Sequence, residues 1–376
     1  MKKIGLIIVI STIIILGISF FVFDKFYLIV NWKLIPRSTY NLILLDDALS
    51  DSFVAGDVDK TIEIAQKLTE IKKDNESRLD LAHAYLEKAS LDFKEVEYGN
   101  KALSIANEII ASDPNNVEAY LVAGYSYEVL QDYQKTIESY NKAIEIDPKN
   151  EISYVKRGHA YDLMGDLVSA ETDYLKALEI NNQNDVALMN MARIALRKGD
   201  IENLEIYAKK TLDISEINYV KSVAYELLGT VHLERGLLNS TSSDFSIANS
   251  EYSQSALLFS KAIDSYSKSF HSYVNRAYVQ ILMSNYEIKI PELKSQIESD
   301  LIKALEINKN SSFAMFIYGL FSEAIDDKSK AIEYYEKAQT MIDSDISLGQ
   351  LEKQNMKNKI AERFTLLNKV IKDLKK

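Results

Sequence analysis

Apolar and polar positions divide this 376-residue chain into three regimes. The first is an uncharged run of twenty residues, Ile4 to Phe23, long enough at 1.5 Å per residue to cross a hydrocarbon core about 30 Å thick. The second fills most of the chain with paired amphipathic stretches whose large and small residues return at a fixed offset. The third lies after Asp345, where Ile360, Phe364, Leu367, Ile371 and Leu374 are spaced four, three, four and three apart, the stripe of one helix face. With 4 Pro and 12 Gly in the whole chain, punctuation is too sparse for an all-β protein that turns every ten residues or so, and helices are predicted throughout.

The leading run predicts a membrane-spanning helix. Lys2 and Lys3 precede it, and Phe20 to Phe23 stand where a cleavage site would need small residues, so it reads as an uncleaved signal anchor rather than a removed signal peptide. Phe26, Tyr27, Leu28, Ile29, Val30 and Trp32 continue the apolar character as a juxtamembrane helix ending near Pro36. Basic residues are nearly balanced on the two sides. The three-residue tail and signal-like order point to an inside N-terminus and an extracytoplasmic body.

The middle regime is a repeat. The segments NVEAYLVAGYSYEVLQDYQKTIESYNKAIEIDPKN, written from Asn116, and EISYVKRGHAYDLMGDLVSAETDYLKALEINNQN, from Glu151, superpose with Val117 on Glu151, an offset of 34 residues. Tyr120, Gly124, Tyr127, Tyr140 and Ala143 fall on Tyr154, Gly158, Tyr161, Tyr174 and Ala177. This order of aromatic, Gly, aromatic and Ala, closed by Pro148, resembles the tetratricopeptide repeat (TPR) family. The resemblance implies an all-α chain: a right-handed α-solenoid of helix–turn–helix units, preceded here by one transmembrane helix. Small residues such as Gly124, Ala143 and Ala170 suit close helix approach, and Asp132 and Gly165-Asp166 suit the turn between helices.

Weaker copies open at Asp185, Ser222, Phe270 and Ser312, and upstream copies centre on Leu79 to Pro114 and on Gly56-Asp57 to Ala65. About eight repeats result. The expected division is 1–37 for the anchor and juxtamembrane segment, 38–345 for the repeats, clearest at 117–184, and 346–376 for a helix that caps the open apolar end. A short dimerising coiled coil is the other reading of that helix. Insertions are read near Glu87–Asn100, Leu237–Gln254 and Tyr286–Ile297. The middle one, NSTSSDFSIANSEYSQS, is either a solvated loop or an N-terminal extension of the next helix.

Composition and charge narrow the functions. No Cys occurs, which excludes disulfides, thiolate metal sites and a cysteine nucleophile. Residues 1–37 carry five basic groups and one acid; the remainder carries 39 basic and 54 acidic groups, net −15. Such a body repels phosphate backbones, so nucleic acid is not an expected partner. His83, His159, His232 and His271 have no zincin spacing, and no phosphate loop or nucleophile elbow is present. No enzyme activity, metal, cofactor or small-molecule substrate is expected. Asn239-Ser240-Thr241 matches a glycosylation acceptor, a pattern too common to weigh.

By resemblance, the groove lies along the first helix of each unit. The inner positions four apart include Leu121 and Tyr125, Val155 and His159, Met189 and Arg193, Val274 and Tyr278, and Phe316 and Leu320. Lys and Asn, which clamp a peptide carboxylate in some family members, are missing from these places. The residues suggest instead a groove for an amphipathic helix or extended apolar peptide, unless winding of the solenoid buries them between helices. The expectation is a single-pass, membrane-tethered, non-catalytic scaffold that assembles or organises a cell-envelope complex. A cytoplasm-facing adaptor, or a non-catalytic subunit of an enzyme complex, is the alternative.

Overall fold

The computed structural model of the chain describes residues 37–91, 95–240, 245–285, 288–345 and 350–374. The expected anchor, Ile4–Phe23, and the stretch to Pro36 lie outside them; among the described residues no helix is long and apolar enough to cross a membrane. All regular structure described is helical. The chain divides into two compact units, one ending at Met164 and the other starting at Gly165.

The first unit contains α1 (Arg37–Ala55), α2 (Val58–Lys72), α3 (Asn75–Leu91), α4 (Glu95–Ser112), α5 (Val117–Val129), α6 (Tyr133–Ile146) and α7 (Glu151–Leu163). Each helix packs on the next, and α3, α5 and α7 also touch one another in a row. The second unit contains α8 (Leu167–Ile180), α9 (Asp185–Lys198), α10 (Ile201–Ile214), α11 (Asn218–Asn239), α12 (Phe245–Ser265), α13 (Phe270–Met283), α14 (Pro291–Ile307), α15 (Ser312–Ala324), α16 (Lys328–Met341) and α17 (Gln350–Leu374). There α9, α11, α13 and α15 form the corresponding row. The insertions are helical where they are described, except at Ser240 and residues 288–290. Residues 245–254 belong to α12, α3 runs on to Leu91, and Pro291 opens α14 at a position that needs no N–H donor.

Helix starts follow an alternating chemical rule. Asn116, Asn150 and Asn184 cap the first helices α5, α7 and α9, their side-chain oxygens accepting the N–H of Ala119, Ser153 and Ala187, all at 2.9 Å. Asp57, Asp132, Asp166, Asp200 and Asp327 cap the second helices in the same way. Each satisfies an N–H that the helix leaves without a partner, and the aspartates add a negative charge at the positive end of the helix dipole. The residue before each aspartate has positive φ: Gly56, Gly165 and Gly199, but also Gln131 at 61° and Asp326 at 61°. A side chain at Gln131 therefore strains a turn that its sister repeats make with glycine.

In three of the pairs, α5–α6, α11–α12 and α15–α16, an aromatic ring lies on a glycine. A Cβ on Gly124 would come within 3.0 Å of three ring atoms of Tyr140, and one on Gly319 would do the same to Tyr335. Tyr140 is 1% exposed and Tyr335 fully buried. Around these contacts, Ala82, Ala102, Ala106, Ala119 and Val122 join Leu86 and Ile109 in one cluster of the first unit. In the second unit, Met356, Ile360 and Leu367 of α17 are buried with Phe316, Ile317, Phe321 and Ile342, and the Phe364 ring meets Tyr335 edge to face at 6.1 Å.

Gly124→Ala is expected to cost about 1–3 kcal/mol of stability through overpacking against the Tyr140 ring. Tyr140→Leu in the same chain should recover part of that loss, read as non-additive shifts of the thermal midpoint. At the strained turn, Gln131→Gly should stabilise by about 0.5–1 kcal/mol, while Gly165→Gln should destabilise by a similar amount. Denaturant midpoints of the two variants moving in the same direction would contradict the turn argument.

Candidate peptide-docking surface

The first-helix rows carry the positions expected to line a groove, and the structure divides those positions by chemistry. Leu121, Val155, Met189, Val274, Phe316 and Leu320 are all buried, none above 8% exposure. Their apolar side chains fill the seams between helices and are not an exposed lining. Tyr125, His159, Arg193 and Tyr278 are half-buried and reach the surface. For these six positions the burial matches the second reading, in which the solenoid packs them between helices: a first helix touches its own partner and also neighbouring first helices.

In the first unit the surface of α3, α5 and α7 is polar. His83 Nε2 lies 2.9 Å from Glu118 Oε1, and His159 Nδ1 lies 3.4 Å from Glu128 Oε1. Between the two carboxylates stands Lys156, its ammonium 5.0 Å from the centre of the Tyr125 ring. The order His83, Glu118, Lys156, Glu128, His159 alternates nitrogen-bearing side chains with carboxylates across three helices. Burial pushes the Lys156 ammonium below its usual pKa, and Glu128 and Glu118 oppose that shift. The hydrogen bond from His83 holds the Glu118 carboxyl below the usual range against the effect of burial. Burial raises the Tyr125 phenol, with Glu128 and Glu87 adding to the effect. His83 and His159, which share one repeat position, thus each meet a carboxylate; among the described residues no cluster of three metal-ligating side chains forms.

In the second unit the row ends in a small pocket of about 160 Å³ lined by Tyr278 of α13, Phe316 and Leu320 of α15, and Lys359, Glu362 and Arg363 of α17. Here three of the expected groove positions come together with charged groups from the terminal helix. Arg363 reaches Glu323 at 3.5 Å, and the same carboxylate accepts the Tyr335 hydroxyl, so α17 is fixed in angle beside α15. Lys359 stands exposed at the rim. A larger, open cleft of about 660 Å³ is lined by Arg276, Pro291, Glu292, Ser295, Gln296, Ser299 and Asp300. Two of its ions are already committed to each other: Arg276 donates to both oxygens of Asp300 at 2.8 and 2.7 Å, and also to Ser260 at 3.0 Å. The terminal pocket has a mainly polar lining, with the half-buried Tyr278 beside the edges of the otherwise buried Phe316 and Leu320.

The expected inner positions do not include Glu118, Glu128, Lys156, Lys359 and Arg363. A signal existed for four of them: Glu118 lies three residues before Leu121, Glu128 three after Tyr125, and Lys359 and Arg363 are four apart beside the Ile360 stripe.

Comparison with known proteins agrees with the repeat reading. Residues 124–165 match the family described as TPR repeat, and residues 152–184 match tetratricopeptide repeat. The chain therefore carries TPR repeats in this region. No curated protein matches the sequence. Among solved structures, the chain is similar to one in the crystal structure of the APC/C hetero-tetramer Cut9-Hcn1, with TM-score 0.61, 14% identity and 84% of this chain covered. It spans 55% of that chain, little more than half. The human IFIT1 dimer with m7Gppp-AAAA is similar at TM-score 0.57 and 15% identity, over 93% of this chain and 78% of that one. At such identities the likeness concerns the fold.

Because Glu118 has a depressed pKa, its contribution to stability is present above the ordinary carboxylate value and lost as pH falls through the folded-state value. Glu118→Gln should lower the thermal midpoint at neutral pH, and the gap to the parent should close below about pH 4. A gap of constant size from pH 7 to pH 3 would remove His83–Glu118 as its source.

Proposed function

We propose that this chain is a non-catalytic docking scaffold, tethered to a membrane through Ile4–Phe23, whose partner inserts an apolar side chain into the terminal pocket of the second unit. The observation that carries the reading is the convergence of Tyr278, Phe316 and Leu320 on Lys359, Glu362 and Arg363. TPR repeats at 124–184 support an interaction role, because stacked helix pairs offer extended binding surfaces. The partner is an amphipathic or extended apolar segment. Single-pass tethering with the repeats on the extracytoplasmic side, in a cell-envelope assembly, completes the proposal. Its physical benefit is a raised local concentration, with which modest affinity suffices.

Photo-crosslinking from position 278 in native membranes, with position 210 of α10 as control, should capture a partner from the first position alone. Binding of that partner should then weaken about tenfold or more in Tyr278→Ala and in Lys359→Glu. Lys359 is exposed, so its variant should retain the parental thermal midpoint. Equal capture from both positions, or unchanged affinity in Lys359→Glu, would refute docking at this pocket.

A further inference from the structure

The open cleft of about 660 Å³ over α13 and α14 plays no part in the docking reading. Its floor carries the Arg276–Asp300 ion pair, and its wall is one polar face of α14, where Glu292, Ser295, Gln296 and Ser299 recur at spacings of three and four residues. The hydroxyls on this wall are free. Elsewhere in the helices, Ser126, Ser253, Ser260, Ser265 and Ser322 turn theirs back on the carbonyl four residues earlier, at 2.7 to 2.9 Å. Ser295 and Ser299 are exposed and, with Gln296, have no hydrogen-bond partner among the described residues.

The floor adds donors and an acceptor. Arg276 commits its Nε and one N–H of each terminal nitrogen to Asp300 and Ser260, which leaves one N–H on each terminal nitrogen for an occupant. Gln280 lies one turn beyond Arg276 on the same face of α13, and the Arg276–Asp300 pair sets that turn opposite Gln296 of the antiparallel α14. It is 9% exposed, and its Oε1 has no partner, although a buried side-chain oxygen is ordinarily matched.

We propose that this cleft is a binding site for a neutral saccharide. Its charges disfavour ionic ligands of either sign: Glu292 and Asp300 repel an anion, and Arg276 repels a cation. Serine hydroxyls, an amide and spare guanidinium N–H groups match a ligand whose every hydroxyl both donates and accepts. The volume falls within the range of about 300–1,000 Å³ for small-ligand sites. An open cleft leaves one side of its occupant in water, where a sugar chain remains hydrated. A hydroxyl that reaches the floor brings Gln280 a donor, directly or through an ordered water. A peptide main chain fits less well, because its fixed alternation of N–H and C=O is met by a strand edge, and all regular structure described here is helical. The cleft shares no lining residue with the terminal pocket, so the inference stands apart from the docking reading.

The test presents the full chain, in phosphatidylcholine nanodiscs, to an array of neutral oligosaccharides and to blocked tetra-alanine, with the affinity of each bound compound measured by calorimetry. Binding of at least one oligosaccharide is expected. Ser295→Ala and Ser299→Ala should each weaken it roughly 2- to 10-fold, the range of one hydrogen bond. Neither hydroxyl has a partner in the chain, so both variants should keep the parental thermal midpoint. Lys359→Glu should leave saccharide affinity unchanged, which separates this site from the terminal pocket. An array with no bound oligosaccharide overturns the proposal. So does one bound equally by the parent and by the Ser295→Ala/Ser299→Ala double variant, and so does blocked tetra-alanine bound in place of any saccharide.

Discussion

The contact on which the architecture depends is an aromatic ring lying against a backbone that has no Cβ. At Gly124, Gly229, Gly236 and Gly319 the partner ring occupies the volume that a methyl group would need. This fixes two things together. Helix axes approach more closely than ordinary side chains allow, and the ring fits only one register, because one residue along the helix lacks a side chain. The close approach also makes polar contacts between the paired helices: Ser255 donates to the carbonyl of Gly229 at 2.7 Å, a bond from side chain to helix backbone that a bulky residue at 229 would block. A chain without cysteine obtains this specificity from shape, at three of its helix pairs.

Because that device is local in sequence, it is also the most legible. Gly124 and Tyr140, with their counterparts one repeat on, mark the offset of 34 residues before any helix is assigned. The caps are equally local. Asn116, Asn150 and Asn184 stand at identical repeat positions, and the aspartates that open the second helices stand at another. Less legible was the fate of Leu237–Gln254, whose Ser-rich composition suits a solvated loop as well as a helix start. What decides it is the spacing of Gly236 from Gly229 and of Tyr252 from Phe259, a relation between two helices that no single-helix window contains.

The groove was the least legible part, for a geometric reason. An apolar residue on the first helix of a pair can face the second helix, the preceding first helix or solvent, and spacing by four residues describes all three directions equally. Leu121 and Val274 answer to packing, whereas Tyr125 and Tyr278 keep an edge at the surface. Tyrosine can do both because its ring is apolar and its hydroxyl is not. Identity at the second of the two inner positions was therefore more informative than hydrophobicity at the first.

The two units differ in how their inner rows treat charge, and that difference bears on where a partner can bind. In the first unit, Glu118 and Glu128 are shared among His83, Lys156 and His159, so a ligand ion would have to compete with an internal one already in place. Desolvating such a chain costs more than a new contact returns unless every member keeps a partner. At the end of the second unit the array stops, and α17 takes the position beside α15 that another first helix would fill. It brings an apolar stripe to the buried cluster, and Lys359 to the rim of the pocket on its other side. A helix that must both close a core and face water divides its residues in this way.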